Sequence, residues 1–355
     1  MKRIVVAMSG GVDSSVAAAL LVEQGSDAVG VTLKLLPREE TGFGCCGSPS
    51  DADDAKRVCE KIGIAHYTID MAELFERKVI KPFVDAYLSA RTPNPCVECN
   101  RSLKFGQLLA LAEAWNCDAV ATGHYARIED GRLLKAADAA KDQTYFLYSL
   151  TPRELGRARF PIGALAKSEV RAKARALGLR TADKPESQEI CFVPRRDYRA
   201  FLESQAAAAQ APTLRPGPIC DTSGGEAGRH AGVAAYTVGQ RKGLGAQGAA
   251  RYVVALEPES NTVVVGDSAE VCSASFIAES VSWTAGKPPR AGGVAVRIRH
   301  RHAPAAAALR LLGPGRVRVD FQAPQRAVTP GQAAVFYRGD EVLGGGVIAR
   351  REGRL

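Results

Sequence analysis

The 355-residue chain has no apolar run approaching the ~20 residues that a bilayer-spanning helix needs. Its opening stretch, Lys2-Arg3-Ile4-Val5-Val6-Ala7-Met8, breaks at Ser9-Gly10-Gly11, too early for the apolar core of a secretory signal. Membrane insertion and export are therefore not expected. A disulfide framework is missing too: the nine cysteines, an odd number, are scattered over a chain far longer than a cystine-stapled domain. That usage fits a reducing cytoplasm. There is no internal repeat, and 46% apolar with 24% charged residues excludes the disordered and fibrous classes. The phosphate signature GxxxxGK[ST] does not occur, the glycine turn after the first β-rich run is not GxGxxG, and the one CxxC has no second pair at zinc-ribbon spacing.

The length suits two or three domains, and 47 Lys and Arg against 38 Asp and Glu leave a net charge of +9. That excess permits a polyanionic partner, although a solvated basic surface explains it equally well. The first third alternates β-rich and amphipathic runs. Strands are predicted over 3–8, 28–33, 65–69 and 119–122, and helices over 14–24, 51–62 and 105–115, which together imply a parallel sheet covered by helices. Thr151-Pro152-Arg153-Glu154 reads as an N-cap with Pro at the first helical position, and a helix over 167–177 ends at Gly178. Helical periodicity stops in the Ala-rich stretch 204–212. Short β-rich runs follow at 252–256, 262–265, 294–298 and 317–321, separated by Gly and Pro turns, as in small barrels or sandwiches. A weaker break falls near 271–276.

Ser9-Gly10-Gly11-Val12-Asp13-Ser14-Ser15 lies where the first strand feeds the first helix. Glycines let the backbone approach an anion, the unpaired amides of the helix start point at it, and Ser14 and Ser15 can donate hydroxyls. The loop is expected to hold phosphate. Thr92-Pro93-Asn94-Pro95-Cys96-Val97-Glu98-Cys99-Asn100 reads as a rigid, proline-set segment presenting the CxxC, and the run Glu186-Ser187-Gln188-Glu189-Ile190-Cys191-Phe192-Val193 places Cys191 in a short β-like piece. A thiolate there can carry a persulfide, attack one or ligate a soft metal. Cys96, Cys99 and Cys191 leave open an iron–sulfur cluster with one vacant position. Cys59, on a helix, and Cys117, before a strand, read as core residues, and Cys45-Cys46 receive no role. In the rear, Arg297, Arg299 and Arg301 alternate in strand period and are expected to share one face, which suits phosphate or plain solvent. Gln240-Arg241-Lys242-Gly243 is a similar case, and His66 and His230 read as structural.

SGGVDSS resembles the pyrophosphate-binding loop of the N-type ATP pyrophosphatases, shared by amidating ligases and RNA sulfur transferases. The ordered set SGGVDSS, TPNPC-x-x-CN, Gly123-His124-Tyr125-Ala126-Arg127, Lys141-Asp142-Gln143, SQEICFV, Tyr236-Thr237-Val238-Gly239-Gln240-Arg241-Lys242-Gly243-Leu244, Thr329-Pro330-Gly331-Gln332 and Gly344-Gly345-Gly346 spans almost the whole chain. That set is similar to the tRNA-specific 2-thiouridylase family, bacterial or organellar. The resemblance implies an α/β ATP-pyrophosphatase domain over 1–203, a small β-rich central domain over 204–276, and a C-terminal β-barrel that binds tRNA over 277–355. It implies ATP with Mg²⁺, ordered in part by Asp13, near Ala7, Met8, Ser9, Gly10, Gly11, Val12, Asp13, Ser14, Leu33 and Gly123. It implies that Cys99 is the nucleophile and Cys191 the persulfide carrier. For tRNA contact it implies Asn94, Pro95, Cys96, His124, Lys141, Asp142, Gln143, Arg299, His300 and Gln332. Two positions depart from the family: Leu33 often stands as Met, and Cys96 takes the place of an Asp, so a carboxylate beside the target base is not to be assumed. The reaction so implied is thiolation of the wobble uridine in cytoplasmic tRNAs, those for Glu, Gln and Lys, with sulfur from a cysteine desulfurase or relay protein. An amidating ligase and a non-catalytic RNA-binding module are the rival readings.

Overall fold

Ile4, Val5 and Val6 are apolar on both sides of β1 (Arg3–Ala7), which therefore threads the middle of a parallel sheet covered on both faces. The chain is seen in a computed structural model that describes residues 2–36, 49–186, 190–193, 197–205, 211–244, 250–290 and 292–350. Cys45-Cys46 and Ser187 to Glu189 lie outside the described residues. The sheet continues with β2 (Asp27–Lys34), β3 (Ala65–Asp70), β4 (Ala119–Ala121) and β7 (Ala158–Arg159), five strands in the order β3-β2-β1-β4-β7. Val5 pairs with Val29 on one side and Val120 on the other. The chain steps outward from β1 through β2 to β3, then returns to β4 on the opposite flank. Loops leaving the carboxyl ends of β1 and β4 thus part, and a crevice opens between them.

The helices α1 (Val12–Glu23) and α2 (Pro49–Ile62) match the periodicity, as does the Pro152–Arg157 helix, where Thr151 and Glu154 form a capping box. The Lys167–Ala176 helix ends at Gly178, whose φ of +60° suits a residue without Cβ. One expectation fails usefully. The segment read as a rigid loop is the start of a helix: Asn94 is the N-cap, Pro95 the first helical residue, and helical turns Pro95–Glu98, Cys99–Gln107 and Leu108–Ala114 run on without a break. Cys99 opens the middle portion, wound as a π-helix, a form that recurs at functional sites. Cys191 lies in a turn, not in a β-like run.

A hairpin of β5 (Ala126–Glu129) and β6 (Arg132–Lys135) leaves the parallel sheet entirely. The middle of the chain forms a four-stranded sheet from β8 (Gly217–Asp221), β9 (Glu226–His230), β10 (Tyr252–Glu257) and β11 (Thr262–Gly266). The rear comprises β12 (Cys272–Trp283), β13 (Val294–Arg297), β14 (Ala305–Gly313), β15 (Arg316–Arg326), β16 (Ala333–Arg338) and β17 (Glu341–Ile348), closed into a barrel where β12 pairs with β17. The architecture is thus the expected α/β front, β-rich middle and C-terminal barrel. β12 runs across residue 276, the expected domain border, because Cys272 and Ser273 already pair with Arg326 and Gln325.

The hairpin joins the barrel by pairing Leu134 of β6 with Glu341 of β17. Beneath it, Leu133, Tyr145 and Tyr148 share one apolar cluster with Ala333, Val335, Tyr337 and Val342 of the barrel. Front and rear are therefore held by a common core.

Candidate active site

The crevice at the ends of β1 and β4 is a cleft of ≈ 270 Å³. Ala7, Met8, Ser9, Gly11, Val12, Asp13 and Ser14 form one wall, Leu33 and Leu35 a second, and Gly123, His124 and Tyr125 a third. Of the residues expected around a nucleotide, only Gly10 is not among its lining. It stands behind the wall with φ +70°, where any Cβ would collide with the carbonyl oxygen of Asp51. Gly123 is needed for another reason: a Cβ there would sit 2.6 Å from Asp13 C and Ser14 N, so the two loops can touch only through a glycine.

Within the loop, the Ser14 hydroxyl accepts from Ser9 N at 3.2 Å and donates to Gly11 O at 3.1 Å. Ser15 is no phosphate donor. Its hydroxyl is fully buried, donates to Gly11 O at 2.8 Å and accepts from Thr181 at 3.1 Å, because the helical turn carries it to the face opposite the cleft.

Lys167 Nζ donates to both oxygens of Asp13, at 2.7 and 2.8 Å, and forms an ion pair with Glu186 at 3.0 Å. Glu186 also accepts from Lys141 at 2.7 Å. Burial disfavours the Glu186 anion, but the two ammonium groups outweigh it and hold the carboxyl below its usual range. Tyr125 donates to Asp13 at 3.0 Å. Lys184 donates to Gly10 O at 3.0 Å, Asp51 at 2.6 Å and Asp54 at 2.7 Å; burial opposes its charge, and the two carboxylates more than restore it. With Lys104, four lysines line the cleft. Phosphate suits such a wall of amides and ammonium groups. Lys167, Lys184, Tyr125 and Glu186 are not assigned a site role by the sequence motifs. A signal existed for Lys167: a cation at the first position of a helix opposes the helix dipole, and so calls for a local anion.

His124 lines this cleft. Its Nδ1 is 2.7 Å from Thr122 Oγ1, and Phe105 and Phe160 flank its ring. Burial, helped by the Lys104 charge, holds the imidazole well below its usual pKa, so it is neutral. Lys141 and Gln143 line the same cleft. Gln143 accepts from Tyr125 N at 2.9 Å and so fixes the Gly123 loop.

Other expected tRNA contacts are engaged within the protein. Asp142 is buried, with its carboxylate accepting from Thr144 and from Arg297 at 3.1 Å. Gln332 donates to Thr92 O at 2.9 Å, and Thr92 N donates to Pro330 O at 2.9 Å, which docks the barrel turn on the segment leading to Cys96. Arg299 donates to the carbonyls of Arg326 and Ala327, both at 3.1 Å. The three arginines do not share a face, because β13 ends at Arg297 and the chain turns at 299–302. Arg297 and Arg299 are half-buried and Arg301 is exposed. The His300 ring lies 4.6 Å from that of Phe146. Asn94 is half-buried at its N-cap and Pro95 buried behind it.

Cys99 is buried and Cys191 half-buried, and both pack in the apolar cluster that also contains Leu33 and Leu35 of the cleft wall. Cys96 is exposed. Among the described residues no three His, Cys, Asp or Glu side chains converge as a metal-holding group, the three cysteines included.

A nucleotide-type α/β domain with two appended β domains is the class this geometry defines. Family models agree: residues 2–195 match the tRNA methyl transferase HUP domain, 207–267 the tRNA methyl transferase PRC-barrel domain, and 273–348 the aminomethyltransferase beta-barrel domain. The tRNA-specific 2-thiouridylase MnmA of Heliobacterium modesticaldum is 49% identical, over 98% of this chain and 93% of that protein. Its counterparts in Carboxydothermus hydrogenoformans and Geobacter metallireducens are 48% and 47% identical, over 99% and 98% of this chain and 98% and 96% of theirs. The chain belongs to the tRNA-specific 2-thiouridylase family.

Proposed function

We propose that this chain is an ATP-dependent enzyme that replaces the C2 oxygen of the wobble uridine of tRNA with sulfur. The observation that carries the reading is the meeting of two features in one domain. The Leu33 and Leu35 wall of the SGGVDSS cleft and both motif thiols, Cys99 and Cys191, share one apolar cluster, in a chain 47–49% identical to proteins named 2-thiouridylases.

The chemistry follows from what each group can do. ATP phosphates would meet the amides at the start of α1 and the cleft lysines, which stabilise charge on a leaving pyrophosphate. Asp13 would hold the Mg²⁺ that travels with ATP and would supply charge neutralisation on the phosphates; without it, both Asp13 oxygens accept from Lys167. The uridine O2 attacks the α phosphorus, pyrophosphate leaves, and C2 carries an adenylate. The terminal sulfur of a persulfide on Cys191 then attacks C2, and AMP departs with the original oxygen. Finally the Cys99 thiolate attacks Cys191 Sγ; the persulfide S–S bond breaks, its electron pair stays on the sulfur at C2, and a Cys99–Cys191 disulfide forms that an external thiol reductant reopens. Cys96, in place of the family's Asp, is exposed beside this path.

The test supplies the protein with ATP, tRNA and a persulfide donor. AMP and pyrophosphate should appear only with tRNA, and nucleoside mass spectrometry should find 2-thiouridine. Pyrophosphate release without tRNA, or folded and tRNA-binding protein that never yields thiouridine, would refute the reading.

A further inference from the structure

We propose that Arg297, a residue of the C-terminal barrel, is a positioning residue that sets the nucleotide cleft and the Cys99 helix of the N-terminal domain in register; the proposal rests on the thiolation reading above. Arg297 closes β13, with its side chain 15% exposed. Its guanidinium fork serves two acceptors at once. Nη1 donates to Asp142 at 3.1 Å, and Nη2 donates to the carbonyl of His300.

Each acceptor leads to a different part of the site. Asp142 is 4% exposed and also accepts from Ala136 N and from Thr144, so its place is over-determined. Its chain neighbours are the cleft residues Lys141, paired with Glu186, and Gln143, which holds Tyr125 N. Tyr125 in turn donates to Asp13 of the loop. On the other branch, His300 stacks on Phe146, and the Phe146 carbonyl accepts from Asn100 Nδ2 at 3.2 Å. Asn100 follows Cys99 directly. One side chain from the barrel thus reaches the nucleotide wall through Asp142 and the thiol helix through His300.

The shape of the cation explains the choice. A planar guanidinium aims its donors in fixed directions, so two acceptors it bridges cannot drift independently. A buried ion pair is weak grounds for stability, since desolvation offsets the attraction, so the role assigned to this one is to fix register.

The experiment uses full-length protein and four measurements: thermal melting, tRNA affinity, affinity for a non-hydrolysable ATP analogue without tRNA, and thiolation kcat. Two variants avoid an orphaned charge or keep the shape: Arg297→Gln with Asp142→Asn, and Asp142→Asn alone. In whichever folds, tRNA affinity should stay within ~2-fold while analogue affinity falls ~5-fold and kcat ~10-fold, the range of couplings carried through packed networks. Arg297→Lys, which keeps a cation opposite Asp142, should retain analogue affinity within ~3-fold. Folded variants with wild-type analogue affinity and kcat would overturn the proposal. So would failure of both to fold, which would make the pair a matter of the fold alone. If wild-type protein makes no thiouridine, the thiolation reading falls, yet the analogue titration still decides the role of Arg297.

Discussion

Replacing Gly123 by Ala should disable nucleotide chemistry while leaving the fold standing. The added methyl would lie 2.6 Å from both Asp13 C and Ser14 N and 3.0 Å from Asp13 O, all backbone atoms that cannot rotate aside. Ordinary contact begins near 3.4 Å, so the β4 loop and the head of α1 must part by about 0.8 Å. Overpacking of that kind costs about 1–3 kcal/mol, which a domain with two apolar clusters around its sheet can absorb. The rate is more sensitive. A misplacement approaching 1 Å at the groups that orient the reacting phosphate lowers rates by about 10²-fold. The assay is tRNA-dependent pyrophosphate release, with melting and tRNA affinity measured on the same preparation. Gly156→Ala is the control, since a Cβ there meets nothing within 4 Å and the residue lies in a helix. Wild-type pyrophosphate release by folded Gly123→Ala would refute the argument.

Cys191→Ser should lose protein-bound persulfide, whereas Cys99→Ser should keep it yet form no thiouridine; mass spectrometry of intact protein and of nucleosides reads both, and full turnover by Cys99→Ser would refute the pairing. Lys167→Met leaves Asp13 and Glu186 without their shared cation, so adenylation should fall by at least ~10-fold while tRNA affinity holds; an unchanged rate would remove Lys167 from the site. Burial, aided by Glu60, pushes the Cys59 thiol up to about 12, so iodoacetamide at pH 8 should label the exposed Cys272 and spare Cys59; equal labelling of the two would contradict the packing. All five histidines are held below their usual pKa, chiefly by burial, so below pH 6.5 the unfolded chain binds more protons than the folded one. Stability is therefore full above pH 6.5 and declines as pH falls towards the depressed folded values; a melting temperature that is flat or rises from pH 7 to 5.5 would contradict this.

Local features were legible because local physics makes them. The run Ile4-Val5-Val6, the glycines after it and the helix that follows specify a strand, a turn and exposed amides within about twenty residues, and the crevice follows from that unit. Cys59 and Cys117 likewise announced themselves as buried by position on an element. The start of the Cys99 helix was written in Asn94-Pro95 but masked by a second proline at 93, which reads as a turn. What the sequence does not display is which side chains are engaged within the protein. An arginine looks the same in a sequence whether it meets phosphate or a carbonyl, and only the end of β13 at Arg297 turned three arginines to three different environments. Asp142, Gln332 and Arg299, at motif positions, are each engaged by residues 28 to 240 positions away. Lys167 and Asp13, 154 residues apart, meet for the same reason. Secondary structure is set by near neighbours, whose spacing the sequence displays. Hydrogen-bond partners across elements depend on the packing of a shared core, here the one joining the parallel sheet to the barrel, and no periodicity encodes that.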